Sequence, residues 1–148
     1  MNARRKYQRK EAAYREILVR LLPLSLTATW RRDDIEHFNL SHVGSAEGRA
    51  NKLASVDPPQ LIGELARLTA WSVVLVDDRV MRVMDQLWLD FAQAQDKHRD
   101  ADALGPGGAH EFEEALAMEA RAFRKAHDDI VALARSDLGY KRKWSLRG

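Results

Sequence analysis

The densest group of side chains able to bind a metal or move a proton is Asp33, Asp34, Glu36, His37 and His42. Asp34 and His37 stand three residues apart, which on a helix sets a carboxylate and an imidazole on one face. That pair is the raw material of a transition-metal site or of general acid–base chemistry. A di-iron bundle asks for more: Glu-x-x-His motifs on two helices and further carboxylates. Here one Asp-x-x-His stands alone, and no other His has an acid three residues before it. The cluster reads as a charged, solvent-facing turn, and the sequence assigns no catalytic residue, no metal and no cofactor. His127 falls on or beside an apolar stripe and reads as a core or boundary histidine with a hydrogen-bond partner. Asp77 and Asp78 interrupt a strongly apolar run. One of them is expected to face the bundle or an interface and pair with an Arg of another helix, Arg20 or Arg121; the alternative is a functional carboxylate pair.

A second chemistry is electrostatic. The first ten residues hold Arg4, Arg5, Lys6, Arg9 and Lys10, and the last ten hold Lys141, Arg142, Lys143 and Arg147, with no acid in either stretch. Nine positive charges at the ends, against a chain total of +2, leave the middle 128 residues at −7. Residues 1–10 and 140–148 read as basic tails on an acidic body. Cations on a tail attract phosphate-bearing partners or an anionic membrane surface. Tyr140 and Trp144 flank Lys141, Arg142 and Lys143. Aromatics among cations suit a membrane interface, and equally suit stacking and phosphate contact on a single strand of nucleic acid. The plain alternative is that the tails are solvated and Tyr140 and Trp144 fold back on the bundle.

Other chemistries lack their residues. There is no Cys, hence no disulfide framework, thiolate metal site or cysteine nucleophile. Gly105-Pro106-Gly107-Gly108 lacks the spacing and preceding strand of a phosphate-binding loop. No Gly-x-Ser-x-Gly, His-Glu-x-x-His, Ca²⁺ loop or tight helix-turn-helix is present.

The elements that would position these residues are helical. The 148 residues, 45% of them hydrophobic, suit one domain with one core. From Ala3 to Ala28, Tyr7, Tyr14, Ile17, Leu18, Leu21 and Leu22 recur at three- and four-residue steps, which predicts an amphipathic helix. Pro23 has no N–H and crowds the preceding turn, so this helix is expected to kink or end near Leu22. Residues 29–56 are the least regular part. Thr29 is a candidate cap for a short helix over 30–38, and Ser45 for another over 46–54. This crossover is expected to lie across the bundle through Trp30, Ile35, Phe38 and Leu40. Asp57-Pro58-Pro59 is a strong helix start. Leu61, Leu65, Leu68, Ser72, Val76, Val80, Val83, Leu87 and Phe91 then predict one long middle helix to about Arg99, with a heptad-like seam. Gly105, Gly107 and Gly108 make residues 101–109 a break. A last helix over 110–138 puts Phe112, Leu116, Ala120, Phe123, Ile130 and Ala134 on its core face, with Gly139 as the C-cap. The fold predicted is all-α, an antiparallel three- to four-helix bundle with one long central helix and a partly helical crossover.

Two stretches carry a resemblance. One is Leu61 to Leu87, with Ala70-Trp71-Ser72-Val73-Val74-Leu75-Val76 followed by Arg79 and Val83. The other is Phe123 to Gly139, ending Ala134-Arg135-Ser136-Asp137-Leu138-Gly139. Together they resemble small uncharacterised bacterial helical proteins in which a membrane-spanning helix precedes a coiled, bundle-like domain. The resemblance covers about two thirds of the chain. It implies a helical bundle and, because that family has no assigned activity, no functional residue. The present sequence departs from it by starting at the basic segment with no spanning helix.

The apolar stretch Ile17 to Ala28 falls short of the ~20 residues a spanning helix needs. No secretory signal is evident, so a cytoplasmic location, with possible membrane association, is the default. Three functions follow as expectations. The first is a non-enzymatic bundle acting through protein–protein contacts and forming a homo-oligomer through its middle helix, with no small-molecule substrate. The second is a peripheral binder of anionic membrane or nucleic acid, through Arg4, Arg5, Lys6, Arg9, Lys10, Lys141, Arg142, Lys143 and Trp144. The third is a metal-dependent bundle enzyme using the His37 region. Whether the two basic tails gather at one pole or stand at opposite tips depends on the path of the crossover.

Overall fold

The computed structural model describes residues 3–38, 58–72 and 78–139. Those residues are helical apart from the closing Gly139, with no strand among them, so the fold is an all-α bundle. Four α-helices follow in order: α1 (Ala3–Phe38), α2 (Pro58–Ser72), α3 (Asp78–Leu104) and α4 (Ala109–Leu138). A 3₁₀ turn, Gly105–Gly108, links α3 to α4.

α1 is the longest described element at 36 residues, and it continues past Pro23. The expected end near Leu22 is therefore wrong, and so is a separate helix over 30–38. The reason lies in where Pro23 sits. It faces solvent, so the carbonyl it leaves unpaired can bond water, while Ile17, Leu21, Leu24 and Ala28 stay buried on the opposite side. Burial along a stripe that spans the proline holds the helix together. Residues 39–56 of the expected crossover, with its Leu40, lie outside the described residues, as do the side chains of Trp30, Ile35 and Phe38.

The long middle helix also needs correction. In one straight helix Ser72 and Asp78 would stand about 9 Å apart along the axis, and every other pair across them farther. Instead α2 and α3 pack against each other, so they are two helices. The seam residues keep their predicted role: Leu65, Ser72, Val80, Leu87 and Phe91 are buried, and Leu68 and Val83 pack against the core. Val76, which the same stripe contains, lies outside the described residues.

α4 is the element around which the others assemble, packing along both α1 and α3, while α2 touches α1 and α3. Contacts between α3 and α4 pair rising with falling numbers: Phe91 with Phe123, Lys97 with Glu114, His98 with Phe112. The two form an antiparallel hairpin. Its break is narrower than the sequence implied, since helix continues to Leu104 and resumes at Ala109. Gly105 takes a left-handed φ of 59°, and Gly108 is buried where a Cβ would overlap the Ala101 carbonyl. Replacement of Gly108 by Ala is expected to cost about 2 kcal/mol through forced separation of the hairpin. A urea midpoint within 0.5 kcal/mol equivalent of wild type would refute that close approach.

At the other end α4 stops as predicted. Gly139 adopts φ 73° and its N–H donates to the Arg135 carbonyl, which satisfies one of the last free carbonyls of the helix.

Candidate interaction surfaces

The basic residues of α1 begin at its first turn. Arg4, Arg5, Lys6 and Arg9 are exposed. Lys10 is not free: its Nζ lies 3.2 Å from Asp137 Oδ1. Tyr14, buried one turn further on, donates its hydroxyl to Asp137 Oδ2 at 3.1 Å. One carboxylate near the end of α4 thus ties down the first turns of α1. Asp137 stands two residues before the Gly139 cap, so the N-terminal cations and the point where the chain leaves α4 share one pole of the bundle. Lys141, Arg142, Lys143 and Trp144 lie outside the described residues. Tyr14→Phe removes the part-buried hydrogen bond to Asp137 and leaves the ring in place. It is expected to cost about 1 kcal/mol, read from thermal or urea unfolding. No measurable change would mean that the Asp137 clamp adds nothing to stability.

Among the described residues, apolar surface is left open on α1 and on α3. On α1, Val19, Leu22 and Leu26 are exposed at 44% or more, although each lies roughly half a turn round the helix from the buried stripe. Val19 and Leu22 form one wall of an open groove whose other wall is Val131, Ala134 and Leu138 of α4. His127 and Arg135 border it. His127 is a boundary residue, as expected, with its Nδ1 3.5 Å from Asp128.

The second surface is on α3. Asp85, Trp88, Ala92, Gln95 and Arg99 follow one another at steps of three and four along one face, and Leu89 stands beside Trp88. This is a heptad seam in spacing. Trp88 is 47% and Leu89 61% exposed. The Trp88 ring stacks on Phe91 at 6.4 Å, so the exposed indole rests on the core.

Between α3 and α4 sits the most buried acid of the described residues. Glu119 is 1% exposed, and its Oε2 lies 3.2 Å from His98 Nε2. Phe112 meets the imidazole edge-on at 5.4 Å. Neither His98 nor Glu119 stands out in the sequence as a chemical motif. With the carboxylate closed off from solvent and bonded across the hairpin, the pair fixes the register of α3 on α4.

The remaining candidates are dispersed. Asp33, Asp34, Glu36 and His37 belong to the last turns of α1, but their side chains, and His42, lie outside the described residues. Asp77 does too. Asp78 is exposed at the first turn of α3, where the helix dipole favours an acid. Arg20 pairs instead with Glu64 of α2 at 3.0 Å, and Arg121 is exposed on α4, so Asp78 does not make the expected pairing and the same expectation for Asp77 lies outside the described residues. Among the described residues no three His, Asp or Glu converge as a metal site, and no helix is long and apolar enough to cross a membrane.

No protein family, curated protein or solved structure matches this chain.

Proposed function

We propose that this protein is a non-enzymatic helical bundle that works through protein–protein contact, first of all with copies of itself. The observation that carries this reading is the α3 face, where Trp88 and Leu89 stand exposed at 47% and 61% on a heptad-spaced seam. Large apolar side chains grouped on one surface cost solvation and mark sites of association. Trp is also among the residues that most often anchor an interface. The test is sedimentation velocity or light scattering over a wide concentration range. Self-association that weakens on Trp88→Glu supports the reading, and a monomer at every concentration removes it.

A second reading has its own support. Because Lys10 touches Asp137, the cations of residues 4–10 stand where the basic C-terminal stretch begins. Cations gathered at one pole attract an anionic surface more strongly than the same number divided between two tips. On this reading the protein is cytoplasmic and binds an anionic membrane or nucleic acid peripherally. Binding to anionic vesicles or to single-stranded nucleic acid is then expected to fall with salt. It should weaken further when Arg4, Arg5, Lys6 and Arg9, or Lys141, Arg142 and Lys143, become Ala. Salt-independent binding, or none, would remove this second function.

A further inference from the structure

The geometry points to the occupant of the α3 face: the same face of a second copy, laid antiparallel about a two-fold axis through Ala92. This deepens the self-association reading and rests on it.

The seam is self-complementary. Asp85 and Arg99 stand at its two ends, each seven residues from Ala92, with all three on the face that Trp88 and Gln95 share. Fourteen residues separate the charges, about 21 Å along the axis. In an antiparallel pair centred on residue 92, residue i meets residue 184 − i, so Asp85 faces Arg99 of the partner and Arg99 faces the partner's Asp85. Both ends close with opposite charges. A parallel pair in register would instead set Asp85 against Asp85 and Arg99 against Arg99, and that repulsion selects against it. Arg99 already holds Asp96 at 3.1 Å on the surface. Its five N–H donors leave capacity for a second carboxylate.

The centre fits as well as the ends. Ala92 is the smallest residue of the seam, and a small residue at the axis lets two helices approach to the near end of the usual 8–10 Å range. Leu89 of each copy then meets Gln95 on the other and covers its aliphatic stem, with Trp88 meeting Asp96 one residue further along. The four large apolar side chains flank the Ala92 contact and leave solvent together. A two-fold arrangement needs only this one face from each chain, and it closes, so no filament forms.

The absence of Cys from the sequence makes the register directly testable. Ala92→Cys introduces a single thiol at the axis, where two Cβ atoms meet within the roughly 4 Å a disulfide spans. Mild oxidation of the full chain should convert most of it to a covalent dimer on a non-reducing gel. Lys125→Cys, exposed on α4, should not cross-link. Asp85→Arg and Arg99→Asp each break two symmetry-related charge pairs and should each raise the dimer dissociation constant about tenfold. The double variant restores opposite charges at both ends and should return to near wild type. All three sites are exposed, and unchanged far-UV circular dichroism checks that the variants fold. A dimer that neither cross-links at residue 92 nor responds to the charge reversals overturns this register and leaves self-association standing. A monomer throughout overturns both.

Discussion

Phe123→Ala should be among the most damaging single substitutions in this protein, costing about 4 kcal/mol of unfolding free energy. Phe123 is 1% exposed in the middle of α4, the helix on which α1 and α3 both pack. Its ring meets Phe91 of α3 at 5.6 Å with an interplanar angle of 55°, a tilted geometry that adds roughly 0.5–1.5 kcal/mol beyond burial. Behind Phe91 stands Trp88, so three aromatic rings run from the core to the α3 surface. Truncation removes the innermost ring and leaves a cavity between helices tied by the tight Gly105–Gly108 turn, which limits collapse. In a chain of this size about 4 kcal/mol lowers the melting temperature by roughly 8–16 °C. The urea midpoint should fall with little change in slope. Trp88→Ala, half exposed, should cost much less in the monomer. A loss below about 1 kcal/mol for Phe123→Ala would mean that α3 and α4 do not share this core.

How far the sequence foretold this architecture differs from one helix to the next. α4 was readable almost to the residue, because an acidic first turn, an unbroken core stripe and a C-terminal glycine agree with one another. α1 was readable as a face but not as a length. A proline weighs heavily in one-dimensional reasoning, yet its local cost is outweighed when the residues on both sides share a buried stripe. The division between α2 and α3 left no trace, since no Gly or Pro stands between Ser72 and Asp78 and the three- and four-residue steps continue in phase. Periodicity reports which side of a helix is buried, not whether the chain has changed direction. The basic tails were visible at once, but that the cations of α1 stand at the pole where α4 ends was not, because it follows from contacts between residues as far apart as Lys10 and Asp137. The buried pair of His98 and Glu119 did leave a signal. His98 continues the steps of Phe91 and Ala94 toward Ala101, and Glu119 falls between Ala115 and Ala122 at the same spacing. A titratable residue in a small-residue seam is out of place unless a partner meets it, and two such residues on neighbouring helices should have been read together.

That pair makes the second strong prediction, and its sign depends on how it is removed. His98→Ala takes away the imidazole that meets Glu119 across the hairpin and leaves the buried carboxylate one partner short, at a cost of about 3 kcal/mol. Glu119→Gln keeps an acceptor oxygen and the side-chain shape, so it should cost less. The double variant His98→Leu with Glu119→Leu removes both polar groups and fills the space with apolar atoms. Its stability should lie above that given by the sum of the two single losses, because the two polar groups that meet each other leave together. The double-mutant cycle should therefore show coupling well beyond the ~0.5 kcal/mol expected of independent sites. Stability at neutral pH by urea unfolding is enough to read all four corners. If the double variant loses as much as the two single losses combined, the pair is not one unit and its polar bond is not what joins the helices. If the cycle closes as expected, the hairpin is held together by its apolar seam, and His98 with Glu119 contributes specificity: a slide of α3 by one turn along α4 would bury the carboxylate against alanines with no imidazole to meet it.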